Sequence, residues 1–220
     1  MGGENKLLLE IDGVPVLART LSAFQKCAAI RDIVLVCREQ DIMPYTELAK
    51  AFSIDKLCTV TRGGETRTES VLAGITAAPE KRRARCRTRR RRRLVSEAVI
   101  TEAVTTAAEY GAAAPVVPVK DSIKRIKDGN IAADVARDTL AAVQTPQVFR
   151  ADILRRAYEA EYRPEFTDDA SVVEQAGEAV FLCEGERTNL KITTPEDMVI
   201  AEALLAGREK TEEDTDGENL

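Results

Sequence analysis

Histidine is absent from all 220 residues, and the five cysteines (Cys27, Cys37, Cys58, Cys86 and Cys183) are scattered, odd in number and never spaced as a CxxC pair. This supports neither a zinc site nor a disulfide framework, and leaves the cysteines as small apolar residues of a core. No stretch approaches the roughly 20 apolar residues that a membrane-spanning helix needs. The N-terminal MGGENKLLLE also lacks the basic-then-apolar order of a secretory signal. A cytoplasmic protein without membrane contact is expected. With 44% hydrophobic residues, the chain is long enough for one domain with a sizeable core.

Charge is the next imbalance. Acidic residues outnumber basic ones 37 to 32, and nine arginines are crowded into Arg82 to Arg93. Setting those nine aside leaves 23 basic residues against 37 acidic, a net charge of −14. A body so acidic repels nucleic acid, and the tract carries no aromatic side chain for stacking on bases. Nucleic acid is not the expected partner, although a basic binding module built on Arg82 to Arg93 stays open as an alternative.

Hydropathy then supplies an architecture. Leu7 to Ile11 is a short apolar run, Asp12-Gly13 a turn, and Pro15 opens an amphipathic helix with Leu17, Leu21 and Phe24 inward. The unbroken run Ile33 to Cys37 suits a parallel strand covered on both faces. Helices are expected near Tyr45 to Phe52, Glu69 to Ala78, Glu97 to Tyr110, Ile153 to Tyr162, Ala170 to Ala176 and Pro195 to Ala206. Strands are expected at Leu57 to Thr61, Ala114 to Val119 and Ala179 to Cys183. Thr194 supplies a hydroxyl cap to the last helix, with Pro195 at its first position. The polar stretch Asp121 to Thr139, turning at Gly129-Asn130, reads as an extended arm, and the acidic residues 208 to 220 as a disordered tail. Alternating strands and helices imply a three-layer α-β-α domain over residues 1 to 207 with a mostly parallel, Rossmann-like sheet. Ligands of such sheets sit beyond the carboxyl ends of the strands.

Several segments place hydroxyls, amides and cations at those ends. Arg62-Gly63-Gly64-Glu65-Thr66-Arg67-Thr68-Glu69-Ser70 joins a strand to a helix, where glycine admits a ligand, helix amides face an anion, and Arg67 and Ser70 add donors. Asp121-Ser122-Ile123-Lys124, Gln144-Thr145-Pro146-Gln147, Phe166-Thr167-Asp168-Asp169-Ala170-Ser171 and Asn189 to Asp197 are of the same kind. Taken singly, each reads equally as capping and turn chemistry.

In this order, these motifs resemble the 2-C-methyl-D-erythritol 4-phosphate cytidylyltransferases, a nucleotidyltransferase family of isoprenoid biosynthesis. The resemblance rests on KLLLEIDGVPVLARTL, GGETRTESVLAG, PVKDSIKR, AVQTPQVF, FTDDASVVE and NLKITTPEDM. It implies attack of a methylerythritol phosphate oxygen on the α-phosphorus of CTP, with pyrophosphate leaving and Mg²⁺ present. Such chemistry depends on positioning and charge neutralisation more than on a general base, so the missing histidine is no objection. By resemblance Lys6 neutralises the triphosphate, while Gly64, Glu65 and Ser70 read cytosine and ribose. Ser122, Arg137, Thr145, Thr167 and Lys191 surround the polyol phosphate, with Arg137 and Lys191 orienting its attacking group. Ser122 stands where the family usually has threonine. The arm implies a homodimer with shared sites. A cytidylyltransferase for another polyol phosphate, such as ribitol 5-phosphate, remains the neighbouring alternative.

Two departures stand out. The family's first strand and glycine-rich loop are expected to precede Met1. The arginine tract occupies the place of a buried strand whose acidic end, including an aspartate, would hold the metal, so no metal ligand is assigned. CGN arginine codons read one base later become GNN codons for valine, alanine, aspartate, glycine or glutamate, which fits a pair of compensating frame shifts around the tract. An arginine strand in a helix-covered sheet is expected to loop out, leaving poor folding and no turnover.

Overall fold

The structure, a computed structural model, describes residues 5, 7–79, 84–88, 94–159, 166–191 and 194–217. Strands β1 (Glu10–Ile11) and β2 (Val14–Pro15) form a small hairpin. Its turn residues Asp12 and Gly13 both have positive φ, the geometry that a two-residue hairpin requires and that Asp-Gly accepts readily. Pro15 then stands at the N-cap of α1 (Val16–Lys26), whose Leu17, Leu21 and Phe24 are buried. There follow β3 (Ile33–Cys37), α2 (Ile42–Ala51), β4 (Leu57–Arg62), α3 (Arg67–Ala77), β5 (Ala84–Arg87) and α4 (Glu97–Tyr110).

The second half comprises β6 (Ala112–Pro118), the hairpin β7 (Lys124–Lys127) and β8 (Asn130–Asp134), and then β9 (Ala141–Val143) and β10 (Gln147–Arg150). Helices α5 (Ala151–Glu159) and α6 (Asp169–Gln175), strand β11 (Phe181–Glu184) and helix α7 (Pro195–Gly217) complete the chain. Gly111 ends α4 at φ +97°, a backbone conformation that favours glycine, and a Cβ there would meet the movable Ile153 Cδ1 at 2.8 Å. Thr194 Oγ1 accepts from the Asp197 amide at 3.3 Å and Asp197 Oδ2 accepts from the Thr194 amide at 2.8 Å, a reciprocal cap on α7.

The central sheet has the order β11-β6-β10-β5, with β9 pairing the far end of β6. Strand β11 lies parallel to β6, while β10 is antiparallel to both β6 and β5. Strands β11, β6 and β5 therefore share a direction, as a mostly parallel α/β sheet should. Strands β3 and β4 pair parallel to each other in a separate ladder. The apolar seams of α1 and α2 pack with β3, those of α3, α5 and α6 gather around Phe149, and α4 packs along β6 and β10 through Ala103, Ala107, Ala113 and Val148.

Three expectations are corrected. Part of the arginine tract does not loop out: Ala84 to Arg87 pairs with Arg150 to Gln147. The sheet tolerates it because β5 is terminal in the hydrogen-bonded order, and buried Arg85 donates from Nη2 to the Pro79 carbonyl at 3.3 Å. The expected loss of folding and turnover rested on a looped-out tract; that premise fails for Ala84 to Arg87, while residues 82–83 and 89–93 lie outside the described residues. The last helix continues past Ala206 to Gly217, through residues 208–216 that contain no proline and several good helix formers. The arm turns one residue earlier than expected, at Asp128-Gly129, both with positive φ. Strands β9 and β10 have no counterpart in the hydropathy reading.

Candidate active site

A cavity of about 1100 Å³ lies between β3 and β5. Side chains of α1 (Leu17, Leu21, Phe24) and α3 (Val71, Ile75) line its apolar part. Its polar mouth lies at the carboxyl ends of the strands, where Arg38 follows β3, Gly63 and Gly64 follow β4, Thr88 follows β5, and Lys191 arrives from the segment after β11. This is where an α/β sheet binds its ligand.

The glycine loop is closely packed. A Cβ on Gly64 would fall 2.1 Å from Glu69 Cβ, and one on Gly63 would fall 2.6 Å from Ser70 Oγ. Glu69 Oε2 accepts from the amides of Glu65 (2.7 Å) and Thr66 (3.2 Å), while Thr66 Oγ1 accepts from the Glu69 amide at 3.1 Å. This capping box engages the Glu65 and Thr66 amides, just ahead of α3, with the Glu69 carboxylate and the Glu69 amide with the Thr66 hydroxyl. The loop is thus a preformed turn held by its own side chains. The Thr-x-x-Glu spacing of Thr66 and Glu69 is the sequence signature of this box. Ser70 Oγ donates to the Thr66 carbonyl at 3.0 Å, and the Glu65 side chain points to solvent.

Lys191 reaches the mouth through a buried amide cluster. Asn189, 1% exposed, donates from Nδ2 to the Thr145 carbonyl (2.9 Å) and to Gln144 Oε1 (3.2 Å). Gln144 in turn donates to the Glu186 carbonyl at 2.8 Å and accepts from the Glu186 amide at 3.2 Å. The Gln-Thr-Pro and Asn-Leu-Lys motifs, 45 residues apart, are thereby one structural unit. Thr145 precedes a cis peptide to Pro146, and its hydroxyl lies 3.4 Å from that of Thr88.

Among the other expected residues, Thr167 is exposed immediately before Asp168, the N-cap of α6. Ser122 is exposed at the root of the arm. Arg137, also exposed, donates from Nη1 to the Lys120 carbonyl at 2.9 Å, tying the two ends of the arm together. Lys6 lies outside the described residues. Gly64, Ser70 and Lys191 line one cavity; Glu65, Ser122, Arg137, Thr145 and Thr167 do not line it.

Arg67 is placed differently from the sequence reading. It does not offer its guanidinium to the mouth as a loose donor: Nη2 donates to Asp169 Oδ1 at 2.6 Å and Nη1 to the Tyr158 hydroxyl at 3.2 Å, and that hydroxyl also bonds the same carboxylate oxygen. Burial works against the Arg67 charge, but Asp169 and Tyr158 outweigh it and raise the guanidinium pKa. No residue pattern in the sequence couples positions so far apart.

Among the described residues no group of three or more His, Cys, Asp or Glu side chains is arranged to hold a metal ion. Asp41 at the mouth is engaged by Arg38 at 2.8 Å and by Asn5 at 3.3 Å. No ligand set for the Mg²⁺ that the family resemblance implies is thus assigned among the described residues, and no step is derived through it. No helix among them is long and apolar enough to cross a membrane.

A mostly parallel α/β domain with a glycine turn and cations at its strand ends defines a nucleotide-handling protein of the nucleotidyltransferase type. Comparison with known proteins narrows this. The family pattern of 2-C-methyl-D-erythritol 4-phosphate cytidylyltransferase matches residues 1–207. The enzyme of that name from Bacillus licheniformis is 41% identical over 212 residues, covering 96% of this chain and 91% of its own. Its counterpart from Rubrobacter xylanophilus is 42% identical over 212 residues, covering 94% and 90%. Among crystal structures, the 4-diphosphocytidyl-2C-methyl-D-erythritol synthase from Anaerococcus prevotii superposes with a TM-score of 0.82 at 27% identity, covering 91% of this chain and 93% of its own. The Thermus thermophilus cytidylyltransferase does so with a TM-score of 0.76 at 30% identity, covering 91% and 94%. The chain belongs to the 2-C-methyl-D-erythritol 4-phosphate cytidylyltransferase family.

Proposed function

We propose that this chain transfers the cytidylyl group of CTP to 2-C-methyl-D-erythritol 4-phosphate, as its relatives are named for doing. The observation that carries the reading is the meeting of Lys191 with the Gly63-Gly64 turn and Ser70 around one cavity mouth. A phosphate oxygen of the polyol attacks the α-phosphorus, a new P–O bond forms, and the α–β bridging bond breaks with its electrons leaving on pyrophosphate. Gly64, Glu65 and Ser70 receive cytosine and ribose; Ser122, Thr145 and Thr167 receive the polyol phosphate. Arg137 and Lys191 hold the attacking phosphate in line, and Lys6 neutralises the triphosphate. Fixed cations of this kind act by electrostatic stabilisation of developing charge.

The working unit is a homodimer in the cytoplasm. The arm supports this: Ile126 and Ile131 face each other across β7 and β8 and are 71% and 70% exposed, an apolar pair left for a second copy to cover.

Pyrophosphate release and the phosphorus NMR spectrum, recorded with CTP and a panel of polyol phosphates, test the assignment. Turnover with methylerythritol phosphate is expected, and Lys191→Ala is expected to lower it by about 10²- to 10³-fold, the usual loss on removing one transition-state donor. Preferential turnover of ribitol 5-phosphate, or none with any polyol phosphate, would refute it.

A further inference from the structure

We propose that Arg67 is a positioning residue that locks the nucleotide side of the site to the polyol-phosphate side. The inference rests on the substrate assignment above and adds a coupling between the two halves. Arg67 is the first residue of α3, directly after the Gly63 to Thr66 turn; Asp169 is the first residue of α6, two residues after Thr167. The two starts are 102 positions apart in sequence, yet the guanidinium bridges them at 2.6 Å. Tyr158 on α5 completes a three-way junction.

The junction is rigid on both sides. Asp169 is 5% exposed, and its amide and that of Ala170 donate to Gln147 Oε1 at 3.1 and 3.0 Å. On the other side the Glu65 and Thr66 amides are held by Glu69. Beneath the bridge, Val71 and Ile75 of α3 pack with Leu154 and Ala157 of α5 and Val172 of α6. A planar guanidinium that donates to two different oxygens fixes direction as well as distance, which an ammonium does less well. Restraint that bound nucleotide adds to the turn is thus passed to Thr167 through one side chain, a coupling between binding sites that works in both directions.

Amide hydrogen exchange on the full chain tests this without requiring turnover. In ligand-free Arg67→Met, exchange at Glu65 and Thr66 and at Asp169 and Ala170 is expected to rise together by about 10-fold or more, a local opening, while the interior of α4 stays unchanged. Arg67→Lys should restore part of the protection at both ends. A change confined to one end, or none at either, overturns the proposal. In the unsubstituted protein, a non-hydrolysable CTP analogue should slow exchange at Asp169 and Ala170, and Arg67→Met should abolish that response while still binding the analogue. Failure of the unsubstituted protein to bind the analogue would overturn the substrate assignment, and the ligand-free comparison would still decide the role of Arg67.

Discussion

Gln147 is the side chain whose loss the structure prices most fully. It is 1% exposed on β10 and makes three hydrogen bonds to the start of α6: Nε2 donates to Asp168 Oδ2 at 2.8 Å, and Oε1 accepts from the Asp169 and Ala170 amides. Gln147→Leu preserves volume but strands two helix-terminal donors and one carboxylate oxygen. Each stranded buried group costs about 1–3 kcal/mol. Because Asp168 and Ala170 are only half-buried, water relieves part of this, leaving a loss of about 4 kcal/mol. For a domain of this size that corresponds to a fall in Tm of about 8–16 °C, read by thermal and urea unfolding. A pH series adds a signed check. Burial alone would raise the Asp168 pKa, but bonds from Ser171 and Gln147 and the charge of Arg67 outweigh it and hold the carboxyl below its usual range. A depressed folded pKa gives stability that is full above the ordinary aspartate value near about 4 and is lost as pH falls through the folded value. Removing Gln147 weakens that depression, so the gap between the two proteins should narrow on acidification below about pH 4. A loss under about 1 kcal/mol, or a gap that widens in acid, would refute the reasoning.

Two further outcomes follow from the turn and the thiols. Thr66→Ala removes the hydroxyl that caps α3 and should cost about 1 kcal/mol by urea unfolding, whereas Thr66→Ser should be close to neutral. With a thiol reagent at pH 8 the native protein should react quickly at exposed Cys58 alone: Cys27, Cys37 and Cys183 are buried, and burial pushes Cys86 up to about 12 and Cys183 to about 11. Two or more fast equivalents would contradict that packing.

How much was readable depended on where each signal resides. The strand Ile33–Cys37 and the helix Glu97–Tyr110 match the hydropathy reading residue for residue, because an unbroken apolar run and a cap-to-glycine helix carry their own boundaries. Strands β9 and β10 escaped because three- and four-residue segments flanking Thr145-Pro146 show no periodicity, and their status comes from pairing with β6 and β5. For the same reason the tract defied expectation at Ala84–Arg87: propensity and charge argued against a strand, and the ladder to β10 made one.

The sequence by itself determined the α/β rhythm, the Asp-Gly hairpin, the Gly63-Gly64 turn at a strand end and the family motifs, all of which are local patterns of residue type and spacing. Only the tertiary structure decided that Lys191 shares a mouth with that turn. It alone showed that Asn189 and Gln144 join two distant motifs, and that Arg67 is bonded to Asp169. These are contacts between residues tens of positions apart, and their geometry exists only once the helices have packed on the sheet.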